Sequence, residues 1–537
     1  MPKLEQLDAE YWGVARRVET TSTTGGPDES SHGIAALSVN GSGRRVARNV
    51  AFNYGAFLLQ VFLGLALAPS LLRGLGNERF GTLTLVGALA SYVGVAELGL
   101  GTATVRAVAS SGAQDDRRAV EGVLSTSLAL YLLVATVGLG VLGVLAVLLP
   151  RLGVTEGVSE ARVALLALGV AQTFGLVTNV YPALLFGTGR SSRLIAIGSG
   201  TTVLAGVAQI VVVLRTGSLM ATALVGASFS LFSAASIAMV ARASVSDVKL
   251  RLSQAQKSIA RSLMASGWRN GVIGLSAAAA FNTDAAVVGA VLGTGAVAAY
   301  GVAARASGLI ANLSTRISDV LVPTYAHYAA LNESEKIYSL YRDTVVGGYI
   351  LTLPAGALAL TAGDELLRVW LGNVPDGAPL VLSLLVGATV VAVPGAGAFR
   401  LLSGMNRLTL VAVAAAISAA ANLALGIWLT RRWGLEGPAV ATLSLAIVYD
   451  LIVMPSYACR VLGVSRRRLA AELCWLIPPG AAALLAGLVA RSFGHGNVPL
   501  LLRVLSVTLA YLIVTWFALG PERRGRYLGG SPIGGRT

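Results

Sequence analysis

Ten polar side chains stand inside long apolar stretches of this chain, where each must be satisfied by protein or water rather than lipid. Arg305, Asn312, Arg316 and Asp319 are spaced 7, 4 and 3 residues apart, so on a helix they share one face. Guanidiniums on such a face suit an anion, phosphate in particular. The structural alternative is an i,i+3 pair of Arg316 with Asp319 that only ties helices together. Asp284 lies deep in the preceding stretch, with Asn282 nearby. It can take a proton or Na⁺ for coupling, pair with Arg305, or bridge neighbouring helices. Glu97, in Glu97-Leu98-Gly99-Leu100-Gly101 and followed by Arg106, is a coupling or gating candidate, with a cap or a pair with Arg106 as its structural alternative. Asn53 and Gln60 are seven apart and share a face of the first stretch, either lining a cavity or joining two helices. Asp450 is a lone acid in the twelfth stretch, and the sequence assigns it no role.

Other chemistries lack their residues. No G-x-x-x-x-G-K-[ST] segment is present, which argues against ATP hydrolysis. His32, His327 and His495 are scattered and form no metal-ligand pattern. Cys459 and Cys474 both fall at or inside apolar stretches, so no disulfide framework is implied. The expectation is a transporter rather than an enzyme, with no cofactor and with H⁺ or Na⁺ as the coupling ion.

These residues need a membrane scaffold to position them. The chain has 537 residues, 55% hydrophobic and 12% charged, against about 25% charged in a soluble domain. Its mean hydropathy is +0.72. A bilayer-spanning helix takes about 20 apolar residues, and about fourteen stretches qualify, the first over 49–72 and the last over 499–519. The net charge of +15 then reads as loop charge. Roughly 29 Lys/Arg fall in one alternate set of loops and about 10 in the other, which places both termini in the cytoplasm. The opposite loops are no longer than roughly 15 residues, too short for the catalytic loop of a membrane glycosyltransferase or polymerase. Residues 1–45 are polar and read as an arm, with no signal peptide.

The chain repeats at an offset of 217: Leu75-Gly76 with Leu292-Gly293, the L-x-G-x-x-R of Leu185–Arg190 with Leu402–Arg407, and Gly217 with Gly434. Six stretches separate equivalent landmarks, so the repeats enter the membrane with the same orientation. The expected layout is an all-α bundle of about 14 helices. An arm (1–47) precedes a first six-helix lobe (48–242) and a connector (243–268). A second lobe (269–460), a C-terminal helix pair (461–520) and a tail (521–537) follow. Val248–Ser262 reads as a basic amphipathic surface helix or a solvated linker. Arg305 and Asp284 align with Ala88 and Leu67, so these charges belong to the second half alone.

Several segments resemble one family. Arg73–Gly81 is similar to its LG-x-x-x-FG landmark, Glu97–Gly101 with Arg106 to its D-x-G-x-x…R segment, and Asp284…Leu292-Gly293…Tyr300…Arg305 to the opening of its second lobe. Val322–Ala326, Trp370–Gly372 and Leu435–Ala439 are similar to further landmarks, in order along 48–520. The resemblance is to the Wzx-type oligosaccharide flippases of the multidrug/oligosaccharidyl-lipid/polysaccharide (MOP) exporters. It implies two lobes around a cationic cavity in a bacterial plasma membrane. It also implies alternating access and translocation of undecaprenyl-diphosphate-linked repeat units, alongside a polysaccharide polymerase and glycosyltransferases. Glu97 departs from the Asp common in that position. The alternatives are a multidrug antiporter of the same superfamily and, in another class, a membrane glycosyltransferase or polymerase.

Overall fold

The computed structural model describes residues 39–519, apart from 96, 98, 114–115, 189–190, 246–247 and 495. The chain divides into two units, Met1–Ala56 and Phe57–Thr537, and the packing below belongs to the second. The expected arm lies largely outside the described residues, and helix is described from Val39 onward.

The first half contains α1 (Val39–Val95), α2 (Leu100–Ala113), α3 (Arg117–Leu148), α4 (Val158–Thr178), α5 (Val180–Gly187), α6 (Ser191–Thr216) and α7 (Leu219–Ser244). The second contains α8 (Lys257–Leu292), α9 (Thr294–Asp319), α10 (Val322–Ala330), α11 (Ser334–Leu371), α12 (Ala378–Gly404), α13 (Thr409–Trp433), α14 (Gly437–Leu445), a π-helical segment (Ala446–Val453) and α15 (Met454–Leu462). Beyond them lie α16 (Arg466–Leu473), α17 (Ile477–Arg491) and α18 (Asn497–Ala518). Among the described residues there is no strand.

Among the described residues, twelve helical segments are long and apolar enough to cross a membrane. Two of these contain a break: Leu59–Gly94 turns at Gly76 and Thr409–Leu462 at Gly434. Those two turns account for the difference from fourteen stretches. Helix starts follow local chemistry. Asp116 caps α3 by accepting from the Ala119 N–H, and Ser218 caps α7 through Ala221.

The repeat is visible in the backbone. Gly76 has φ 74 and ψ 173, and Gly293, 217 positions later, has φ 87 and ψ 171. Gly217 and Gly434 likewise both have positive φ, 57 and 71. Only glycine enters this region readily, so equivalent glycines make equivalent corners.

The connector corrects one expectation. Leu252–Gln254 is a single 3₁₀ turn and Lys257 already begins α8, so Val248–Ser262 is not a surface helix of its own. The cause is α3. Glu121 Oε1 accepts from Lys249 N–H at 2.9 Å, Ser125 Oγ from Arg251 N–H at 3.1 Å and Thr126 Oγ1 from Gln256 N–H at 3.0 Å. Backbone donors satisfied by side chains of a neighbouring helix have no need of a helical ladder.

The main core joins residues of both halves, among them Leu72, Phe80 and Leu85 with Val297, Val302 and Val381. Two further cores are more local, one around Leu100, Tyr131 and Leu184, the other around Tyr325, Tyr341 and Leu401. Glycines set the contact between halves. A Cβ on Gly81 would overlap the Thr294 carbonyl oxygen, and one on Gly153 the Gly289 carbonyl. Glu78 Oε2 accepts from Thr294 Oγ1 at 2.5 Å, and Trp370 Nε1 donates to the Leu65 carbonyl at 2.6 Å.

Candidate functional site

Arg305 stands where the halves meet. It is half-buried on α9, and its guanidinium carbon lies 5.2 Å from the centroid of the buried Phe80 ring. The close approach has a sequence cause: Gly301 of α9 faces Thr84, and Gly81 faces Thr294 and Ala298. Small residues let two helices touch, and the arginine rides on the seam they create. An arginine stacked on an aromatic face keeps its N–H edges for an anion.

The rest of the α9 face opens outward. Asn312 is exposed, and Asp319 is exposed near the end of the helix. The described partner of Asp319 is Arg400 on α12, whose Nε donates to Oδ1 at 3.0 Å. The Arg316 and Asn53 side chains lie outside the described residues. Gln60 is half-buried on α1, and no described hydrogen bond joins it to another candidate.

Asp284 sits in a cage of neutral groups contributed by three other helices. It is 4% exposed on α8. Tyr300 Oη of α9 donates to its Oδ2 at 2.5 Å, and Thr442 Oγ1 of α14 to the same oxygen at 3.3 Å. Asn422 Nδ2 of α13 approaches Oδ1 at 3.5 Å, while Thr442 Oγ1 also lies 3.5 Å from Asn422 Oδ1. One hydroxyl proton cannot serve both acceptors at once, so the cage holds more oxygen than donors. No described ion pair joins Asp284 to Arg305, which corrects that option. Oxygens of Asp284, Asn422 and Thr442 gathered at one point suit a hard monovalent cation or a proton. Next to the cage, Tyr92 of the first half hydrogen-bonds Thr283. Tyr300, Asn422 and Thr442 align at the 217 offset with Leu83, Ala205 and Val225, so the cage is confined to the second half.

Glu97 is held separately. Asn179 Nδ2 donates to its Oε2 at 2.5 Å, while Arg106 Nε donates to the Thr102 carbonyl at 3.3 Å. The pairing with Arg106 is therefore replaced by an amide. Gly101 leaves room for the longer carboxylate, since a Cβ there would lie 3.0 Å from Glu97 Oε1. Asp450 is on the π-helical segment, facing Gly395 of α12, where a Cβ would overlap it. Among the described residues, no group of three His, Cys, Asp or Glu is placed to hold a metal.

The sequence and the fold match known proteins. Residues 46–329, more than half of the chain, match the family described as polysaccharide biosynthesis protein. A probable low-salt glycan biosynthesis flippase of Haloferax volcanii, Agl15, is 29% identical over 165 residues, covering 30% of this chain and 35% of that one. EpsK of Bacillus subtilis, an uncharacterized membrane protein, is 23% identical over 83% of this chain and 88% of its own. The match thus spans about a third of one curated relative and most of the other. In fold, the chain is similar to the lipid II flippase MurJ in an inward closed conformation, with a TM-score of 0.68 and 14% identity, covering 87% of this chain and 99% of that one. It is also similar to an inward-facing MATE multidrug transporter of the MOP superfamily, with a TM-score of 0.60 and 16% identity over 77% of this chain and 98% of that one. The chain belongs to the polysaccharide biosynthesis protein family.

Proposed function

We propose that this protein flips undecaprenyl-diphosphate-linked oligosaccharide units from the cytoplasmic to the outer leaflet of a bacterial plasma membrane. The observation that carries the reading is Arg305: a half-buried guanidinium on the seam between halves, stacked on Phe80. A cation there favours a diphosphate and opposes the cationic apolar drugs of a multidrug antiporter. In the proposed cycle two lobes alternate access around this seam. Arg305 takes the diphosphate, with Arg316, Asn312, Asn53 and Gln60 along the path of the sugar, while the polyprenyl tail stays in lipid. A proton or Na⁺ bound at Asp284 resets the carrier, because Thr283 beside it contacts Tyr92 of the opposite half. Glu97 and Asp319 act in gating, and both termini lie in the cytoplasm. Glycosyltransferases supply the unit and a polymerase consumes it.

Binding tests the reading directly. Purified protein should bind a polyprenyl-diphosphate glycan with an affinity that Arg305→Ala lowers roughly tenfold or more, the scale of one desolvated charge-assisted contact. Unchanged affinity in Arg305→Ala, together with drug extrusion by expressing cells, would favour the multidrug antiporter instead.

A further inference from the structure

We propose a second ligand site, for the anionic headgroup of a bilayer phospholipid, at the end of the second half where α15 meets α16. A cavity of about 630 Å³ opens where α13 begins, the π-helical segment ends and α15 turns into α16. Its polar end carries Arg460, Arg466, Ser456 and Ser465, and its apolar side Leu410, Ile452 and Val453. None of the residues assigned to transport lines it.

Charge makes the site selective. The acids near this end of the molecule are engaged elsewhere: Glu335 and Glu472 pair with Arg468, and Glu472 and Asp343 with Arg342. No described ion pair includes Arg460 or Arg466, and both are exposed. Two guanidiniums beside two seryl oxygens on one cavity wall suit a phosphodiester. A basic pocket at the end of membrane helices is a common lipid-headgroup site.

The apolar side identifies the ligand as a lipid rather than a free anion. Val413 and Ile417 are exposed on α13, and Val448, Leu451 and Ile452 on the π-helical segment. Both rows run from the cavity along the membrane-crossing part of their helices, as acyl chains require. The π-helical turns place Ile452 and Val453 at the mouth, and such local widenings recur at functional sites. The occupant has an anionic head and two apolar chains, which describes a glycerophospholipid of the surrounding leaflet.

The test is native mass spectrometry on the full-length protein, titrated with phosphatidylglycerol and with phosphatidylcholine of the same chains. Phosphatidylglycerol should bind more tightly. Arg460→Gln with Arg466→Gln should weaken it roughly 10- to 30-fold and leave phosphatidylcholine unchanged, as expected for two surface arginines. Arg460→Lys with Arg466→Lys should retain most binding, which separates charge from misfolding. Arg431→Gln with Arg432→Gln, the same charge change at the other end of α13, should have no effect. Equal loss in both Gln pairs, or no loss in the first, overturns the site. Displacement by inorganic phosphate points to a free-anion site, and displacement by undecaprenyl diphosphate at lower concentration than phosphatidylglycerol points to the transported lipid; either result also overturns it.

Discussion

At Asp284 a carboxylate on the boundary of two proposed roles meets three neutral partners and no described cation. Asp284→Asn keeps the size and an acceptor for Tyr300 while removing the charge. It should preserve folding and lower gradient-driven transport at least about tenfold, with any stabilisation by Na⁺ lost from thermal unfolding curves. An Asn variant that still responds to the gradient removes Asp284 from coupling. The sequence marked Asp284 and Arg305 because charge stands out in an apolar stretch. It did not mark Asn422 or Thr442, which reach Asp284 from 138 and 158 residues away. A single amide or hydroxyl in a span is ordinary, and only tertiary packing makes it a partner. An amide amid the alanines of α13 was the one available signal.

Elements were legible where local rules governed them. Apolar length gave the crossing stretches, and glycine at the 217 offset gave the corners, since glycine enters positive φ most readily. The connector was not legible, because its backbone is held by side chains of α3, a contact that no local periodicity reports. The last two helices are anchored by a buried pair the sequence did not single out. Arg503 of α18 is 0% exposed and meets Glu365 of α11 at 3.0 Å, also donating to the Thr361 and Gly494 carbonyls. Arg503→Ala leaves an uncompensated buried carboxylate and should cost about 3–5 kcal/mol of stability. Glu365→Gln added to Arg503→Ala should recover part of that loss, read as detergent-solubilised melting temperature. Strict additivity of the two changes contradicts the pair's anchoring role.

On the scale of the whole molecule, the halves share a core around Phe80 and Val297, the core around Leu184 takes in Leu263 of α8, and the core around Tyr341 holds no residue of the first half. In the orientation proposed above, the core around Phe80 lies toward the outer surface. Alternating access then requires the contacts Glu78–Thr294 and Gly81–Thr294 to part in each cycle. A cleavable thiol cross-linker between Glu78→Cys and Thr294→Cys, with Cys459 and Cys474 replaced by Ala, should stop transport and restore it on cleavage. Transport that continues while cross-linked contradicts that movement. The halves also differ, since Arg305 and the partners of Asp284 all belong to the second half. The most direct measurement is translocation of an undecaprenyl-diphosphate oligosaccharide by the purified protein in proteoliposomes under an ion gradient. The wild type should move it, Arg305→Ala and Asp284→Asn should each reduce the rate at least about tenfold, and equal rates in the wild type, both variants and empty liposomes would contradict the proposed function.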